Sequence, residues 1–342
     1  MNYITVTKLN IEDCLKKYDV LICRIRPSRV KAKQWAVLEV SAVLAPMGAV
    51  FITNTPIGDV RGLVGFFVPK NSDALLCGLL NNLGYCYKFY KLSFNTTEVQ
   101  APSDLKSINP FYWKGRPFIP VHFFTIDEEA FEAQSISSRL FAVYSHDKTI
   151  KYIKGYRGDG SETGRRALPL EDARLMANLA SLAEISRLLD PFAGGGSIIH
   201  AAKCINPNLY LISADIDSAI EPGLKMYASE HHTCDARVLE LGAPVDAIVT
   251  EVPFSVDYNG IIGEALSHLL KYLSEDGRLV LMCHQEQYDK IAPLISVSNK
   301  LYPIFHKDIN RKGTPITVSY WTKDRVFYES SKAFITTLRG FI

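Results

Sequence analysis

From about Leu168 to His284 the sequence alternates amphipathic helical stretches with short runs rich in Val, Ile and Leu, and this alternation constrains the fold more than any other feature. The order is a helix, LPLEDARLMANLASLAEI; a strand, RLLD; a glycine loop; a helix, SIIHAAKCI; a strand, LYLISAD; and a helix after Asp217. The short segment CDARVLEL, the strand DAIVTE, the helix GIIGEALSHLLKYL and the strand GRLVLMCH follow. Strands separated by helices pair in parallel and need cover on both faces, which predicts an α/β fold with a mostly parallel sheet. Beyond it, YPIFHKDI and TPITVSYWTK flank an Asn-Arg-Lys-Gly turn and predict an antiparallel hairpin that closes the sheet.

Residues 1 to 110 read as a smaller α+β domain. They hold strand-like runs (DVLICRI, AVFIT, LVGFFV, YKFYKLSF) and helical stretches around WAVLEVSAVLA and DALLCGLLNNLG. Residues 111–167 read as a connector with a basic and aromatic segment, and 168–342 as the parallel-sheet domain.

Within LLDPFAGGGSIIHAA an apolar strand ends at Asp190, Gly194, Gly195 and Gly196 make a turn, and Ser197 opens a helix. Glycines let the backbone approach a ligand where a Cβ would collide, and the helix start offers free N–H groups. In a dinucleotide fingerprint the third glycine would fall at Ile199, and Asp190 would face a pyrophosphate with the wrong charge. A ligand with an amino group near Asp190 and a carboxylate near the helix start fits better, and the methionine moiety of S-adenosylmethionine has both. Asp215, in SADID, stands where a carboxylate can accept from ribose hydroxyls, Asp217 where it can cap the next helix, and Asp235, in CDAR, where it can accept from an adenine amino group.

Charge and cysteine content exclude several classes. Lys plus Arg number 38 against 36 Asp plus Glu, so any charge preference for a partner must be local. Seven scattered cysteines without a CxxC pair fit reduced thiols in a cytoplasmic protein, and His231, His232 and Cys234 lack the spacing of a zinc site, which predicts no metal. The first twenty residues lack the pattern of a secretory signal. The apolar region from Ala36 to Ile52 is interrupted by Glu39, Pro46 and Gly48, which predicts no membrane span.

In this order, DPFAGGGS, SADID, CDAR and TEVPFS resemble the class I methyltransferase domain of the tRNA guanine-N2 methyltransferases over about residues 165 to 325. The resemblance implies an S-adenosylmethionine site in which Asp190, Phe192, Ala193, Gly194 and Gly196 hold the methionine end, Asp215 the ribose, and Asp235 with Ala236 the adenine. It also implies methylation of a base amino group, with guanine N2 in tRNA as the expected target. Adenine N6 or cytosine N4 in DNA, or a methyltransferase-like RNA-binding protein without activity, are the alternatives.

Amino methylases of this kind use [DN]PP[YF] after the fourth strand. The amino nitrogen has its lone pair delocalised into the ring, so the site must accept both N–H groups and hold the nitrogen in line with the methyl group. Here Glu251 replaces the Asp or Asn, Val252 the first proline, and Pro253 and Phe254 keep their types. Glu251 is thus the expected acceptor and Phe254 the stacking ring, with Pro253 shaping the turn between them.

Two stretches are locally basic: RIRPSRVKAK (24–33) and KTIKYIKGYRGDGSETGRR (148–166). Cations that track phosphates, interleaved with aromatic rings on which bases stack, suit RNA, and Tyr156, Arg157, Arg165 and Arg166 are the expected substrate contacts. An ordinary solvated surface is the alternative reading of both.

Overall fold

The computed structural model describes residues 3–5, 11–53, 62–93, 112–113, 116–117, 119–154, 167–254, 259–298, 300–311 and 314–340. The chain divides into two compact units, Met1–Glu128 with Ala333–Ile342, and Glu129–Lys332.

In the first unit β1 (Tyr18–Ile25), α1 (Lys33–Val43), β2 (Val50–Thr53), β3 (Leu63–Pro69), α2 (Asp73–Leu80) and β4 (Cys86–Ser93) follow one another as β-α-β-β-α-β. Their spatial order is β4-β1-β3-β2 with every adjacent pair antiparallel, the split βαβ arrangement. Tyr3–Thr5 extends the sheet beside β2, and Ile119–Thr125 beside β4. Val20, Leu21, Ile22 and Cys23 are all buried although successive side chains point to opposite faces, so both faces of β1 are covered. On one face Val20, Ile22, Ile52, Phe67 and Tyr90 form a core with Leu15 and Tyr18 against it. Glu39, fully buried on α1, accepts from Gly84 N (2.7 Å) and Tyr85 N (2.9 Å) and so fixes the turn before β4.

This packing limits what the first unit offers a ligand, including the basic stretch 24–33. Phe67, Phe89 and Tyr90 are core residues and offer no exposed stacking platform. In the basic stretch 24–33, Arg26 donates to Gly84 O (3.0 Å), pairs with Glu128 and lies over the Tyr87 ring, while Arg29 lies over Tyr85. These two cations are engaged within the unit's own structure.

The second unit begins within the helix Glu128–Ser137, which is followed by a two-stranded antiparallel hairpin, β5 (Leu140–Tyr144) and β6 (Ile150–Lys154). There follow α3 (Leu170–Leu179), β7 (Arg187–Asp190), α4 (Ser197–Ile205), β8 (Tyr210–Asp215), α5 (Glu221–Tyr227) and β9 (Glu230–Thr233). Next come β10 (Val245–Glu251), α6 (Asn259–Leu269), β11 (Leu273–His284), α7 (Gln285–Ser298), β12 (Tyr302–Arg311), β13 (Thr314–Thr322) and α8 (Arg325–Arg339). The sheet order is β9-β8-β7-β10-β11-β13-β12, parallel except for β13, which runs against both β11 and β12. Leu188 and Leu189, Leu211 and Ile212, and Ala247, Ile248 and Val249 are all fully buried, as a sheet covered on both faces requires.

The third strand, β9, lies just before the CDAR segment at which the sequence suggests that a strand ends. Its residues, Glu-His-His-Thr, carry no apolar signal because it is an edge strand whose side chains hydrogen-bond to a neighbour or to one another. His231 Nδ1 lies 2.9 Å from Ser213 Oγ, Glu230 accepts from Tyr210 Oη (3.0 Å), and His232 pairs with Glu230 at 2.6 Å. The helix α8 has no counterpart among the elements expected from the sequence. Phe327 and Tyr328 on its first half pack on Tyr320 and Tyr302, and its residues from Ala333 onward belong to the first unit. No helix among the described residues is long and apolar enough to cross a membrane.

Candidate active site

The strand order reverses direction between β7 and β10, and in an open α/β sheet that switch point, at the carboxyl ends of the strands, is where a crevice forms. Asp190 ends β7, Asp215 ends β8 and Glu251 ends β10, so topology alone brings these three residues to one place.

The glycine loop spans that crevice. Gly194 (φ 50°) and Gly196 (φ 79°) adopt left-handed backbone, which a residue with a Cβ takes at a cost of about 1–2 kcal/mol. Gly195 is required for a different reason: a Cβ there would lie 2.2 Å from the ring of Phe141 on β5. Phe141, Val143 and Ile153 of the hairpin form a small core with Ala193, Ile220 and Leu224. The loop is therefore held from outside by the hairpin and from inside by hydrogen bonds. Gly194 N donates to Asp215 Oδ2 (2.8 Å), Ala193 N to Ala214 O (3.0 Å) and Gly196 N to Ala193 O (2.7 Å). Asp215 also accepts from Asp217 N (2.9 Å), which leaves further lone pairs on each oxygen for a ligand. Asp217 caps the turn that follows by accepting from Ala219 N (2.9 Å), as its position in the sequence suggested.

Asp190 is 1% exposed, and its Oδ1 accepts from Thr250 Oγ1 (2.7 Å) and Phe192 N (3.3 Å). Burial pushes its pKa up to about 7 against those hydrogen bonds, and the carboxylates of Asp215 and Glu251 add to the rise. A buried acid in this state gains by receiving a cation, so the residues present suit an ammonium group. Thr250, itself fully buried one residue before Glu251, is the direct link between the glycine loop and the TEVPF segment.

That segment departs from the amino-methylase pattern in a way the structure explains. Val252 N donates to Met282 O on β11 (3.0 Å), and the Val252 side chain is 1% exposed among core residues that include Ile248, Ile262 and Leu281. A proline at 252 would forfeit that ladder bond. Pro253 O accepts from Gln287 Nε2 (2.8 Å), and Gln287 Oε1 accepts from His284 N (3.0 Å). Gln287, completely buried at the start of α7, ties the turn after β10 to the end of β11.

At the far side of the crevice Asp235 lies two residues past β9. Its carboxylate is gripped by Arg237, whose guanidinium lies 2.6 Å away and which also reaches Glu264 (3.5 Å), and this holds the acid below its usual range. Ala236 is buried, and Phe192 packs on the same core cluster. Tyr156, Arg157, Arg165 and Arg166 lie outside the described residues.

The strand order is that of a class I methyltransferase. No family model matches the chain. Over 91 residues it is 34% identical to the tRNA (guanine(10)-N2)-dimethyltransferase of Methanothermobacter thermautotrophicus, a match covering 25% of this chain and 26% of that protein. The match thus spans about a quarter of the relative's length. Among solved structures it is similar to TrmN from Thermus thermophilus, at 17% identity over 90% of this chain and 100% of that one, with a TM-score of 0.45. It is also similar to the N-methyltransferase NodS from Bradyrhizobium japonicum in complex with S-adenosyl-l-homocysteine, at 14% identity over 45% of this chain and 87% of that one, with a TM-score of 0.37.

Sequence reasoning missed Thr250, Gln287, Arg237 and Phe141. Thr250 and Gln287 carry no motif, because each acts on a residue 60 or 34 positions away. Phe141 left a trace: GxG explains Gly194 and Gly196, and the third glycine between them asks for a close neighbour.

Proposed function

We propose that this protein transfers a methyl group from S-adenosylmethionine to an exocyclic amino group of a nucleic-acid base, with guanine N2 of tRNA as the target, in the cytoplasm. The observation that carries the reading is the convergence of Asp190, Asp215 and Glu251 at the switch point of a class I methyltransferase sheet. The stretch of identity with a tRNA guanine-N2 dimethyltransferase supports the choice of base and of RNA.

When bound, S-adenosylmethionine supplies an electrophilic methyl group on a sulfonium centre. In this reading the Asp190 carboxylate holds the amino end of the cofactor, with Phe192, Ala193, Gly194 and Gly196 forming the wall around it. Asp215 accepts from the ribose hydroxyls, and Asp235, turned from Arg237, accepts from the adenine amino group against Ala236. Glu251 accepts one N–H of the base amino group and the Val252 carbonyl the other, while Phe254 stacks on the base and Pro253 sets the bend. Holding both N–H groups would aim the amino nitrogen at the place where the bound cofactor presents its methyl group, and Glu251 would take the proton that this nitrogen releases. Tyr156, Arg157, Arg165 and Arg166 bind the RNA backbone and loop bases, and residues 1–110 have a supporting RNA-binding role.

The test is transfer of labelled methyl from S-adenosylmethionine to bulk tRNA, rRNA and DNA by wild type and Glu251→Ala. Label in tRNA, recovered as N2-methylguanosine and lowered roughly a hundredfold by the substitution with cofactor affinity kept, is the expected result. Label confined to DNA, or insensitive to Glu251, overturns it.

A further inference from the structure

The outer face of the β5–β6 hairpin groups four exposed large hydrophobic side chains, Leu140, Tyr144, Ile150 and Tyr152. By register Ile150 lies opposite Tyr144, Tyr152 opposite Ala142 and Lys154 opposite Leu140, so these residues share one face, while Phe141, Val143 and Ile153 point to the core behind. On that outer face Tyr152 is 67% exposed, Ile150 56% and Leu140 46%, and Tyr144 sits diagonal to Tyr152. Exposed apolar and aromatic side chains grouped on one face mark an interaction surface, whereas singly scattered ones need no partner.

Charge indicates the kind of partner. Between Leu140 and Lys154 the cations are Lys148, Lys151 and Lys154, and the lone acid is Asp147. Asp147 is occupied within the turn: it accepts from Ser145 Oγ, from Thr149 Oγ1 (2.7 Å) and from Thr149 N (3.2 Å), and these bonds hold its carboxyl well below the usual range. The same bonds fix the turn, and Lys148 stands in it with φ 62°, a left-handed position that glycine would fill with less strain. A rigid ribbon that presents tyrosine rings between lysines matches the demands of an unpaired strand, whose bases stack on rings and whose phosphates attract cations. An apolar protein partner would gain nothing from this excess of lysine.

The hairpin is also fastened to the proposed cofactor loop. The Phe141 ring covers Gly195, and the Ala142 backbone lies so close to Gly223 on α5 that a Cβ there would meet Ala142 O at 3.0 Å. We propose that the outer face of the β5–β6 hairpin, through Tyr152, Tyr144, Lys148 and Lys154, is a docking surface for an unpaired polynucleotide strand. This rests on the reading of the protein as a nucleic-acid methyltransferase, and the strand is then an unpaired part of its RNA substrate.

The experiment is fluorescence polarisation of the full chain with a labelled ten-nucleotide oligouridylate and with bulk tRNA, in parallel with calorimetric titration of S-adenosylmethionine. Tyr152→Ala is expected to weaken oligouridylate binding roughly tenfold, and Tyr152→Phe, which keeps the ring, to bind as wild type. Lys148→Ala with Lys154→Ala is expected to flatten the slope of log affinity against log salt by about 0.7 for each phosphate that is no longer neutralised. Cofactor affinity is expected to be unchanged in every variant. Binding of both RNAs that is the same in wild type, Tyr152→Ala and the lysine pair overturns the docking surface, even where methyl transfer stands. Absence of cofactor binding with a hairpin-dependent RNA signal overturns the proposed reaction and keeps the docking surface.

Discussion

Asp190 carries the most informative single-residue state in the molecule. Its pKa of about 7 against an ordinary value of 3.8 means that the folded protein holds this proton through a range in which the unfolded chain has released it. Its contribution to stability is therefore full below about pH 4 and is lost as pH rises through 7. A cationic amino group needs the ionised form, so affinity for S-adenosylmethionine is expected to rise several-fold from pH 6 to pH 7.5 in a calorimetric titration. Thr250→Val, which removes a hydrogen bond to the carboxylate, is expected to move that midpoint upward, and Asp190→Asn to abolish the dependence. Gln287 acts at the same scale on the other side of the site. Gln287→Leu leaves Pro253 O and His284 N without their partner, for an expected loss of about 1–3 kcal/mol in urea unfolding. As a positioning residue for the turn, it is expected to lower kcat while leaving cofactor affinity unchanged. None of these couplings was legible in the chain, because a side chain that reaches another segment's carboxylate or backbone carbonyl leaves no spacing rule behind.

Among the elements of the parallel sheet and its covering helices from Leu170 to Glu251, those with an apolar period are visible in the chain and the polar edge strand is not. The helix Ser197–Ile205 and the strand Val245–Glu251 stand where their patterns put them, because their burial is two-sided or stripe-like and writes itself into composition. The edge strand Glu230–Thr233 ends two residues before Asp235 but is polar throughout, since pairing on one side places no demand for apolar residues on it. The hairpin of residues 140–154 reads as part of a connector, and only its packing on the glycine loop makes it part of the site's frame. Gly195→Ala is expected to overpack against Phe141 and to cost about 1–3 kcal/mol in thermal or chemical unfolding. In a Phe141→Ala background the added methyl finds room, so a double-mutant cycle is expected to show a smaller penalty there. Equal penalties in both backgrounds would mean that the ring does not dictate the glycine.

At the scale of the whole chain, each compact unit has its own core, one built on the antiparallel sheet around Ile22 and Tyr90, the other on the parallel sheet around Leu189 and Ile248. A ligand that binds the native second unit stabilises it by mass action, about 2.7 kcal/mol at a hundredfold excess over Kd. Hydrogen exchange with S-adenosylhomocysteine is therefore expected to slow in segments 188–201, 213–220 and 233–237, while segments 20–25 and 86–92 keep their rates. Protection confined to 20–25 and 86–92 would move the cofactor site out of the parallel sheet. By itself, the sequence determined the class of fold in the second half of the chain, the place of the glycine loop and the residue types offered to a ligand, because periodicity and glycine are local constraints that a chain displays in order. It also contained the split βαβ run of the first unit without disclosing its strand order, since antiparallel pairing depends on partners far apart in the chain. Tertiary structure alone decided that Asp190 would be a buried acid, that Val252 would use the N–H a proline lacks, and that Phe141 would close over Gly195. Each of these depends on desolvation or contact between distant segments, and such energies exist only once the segments have met.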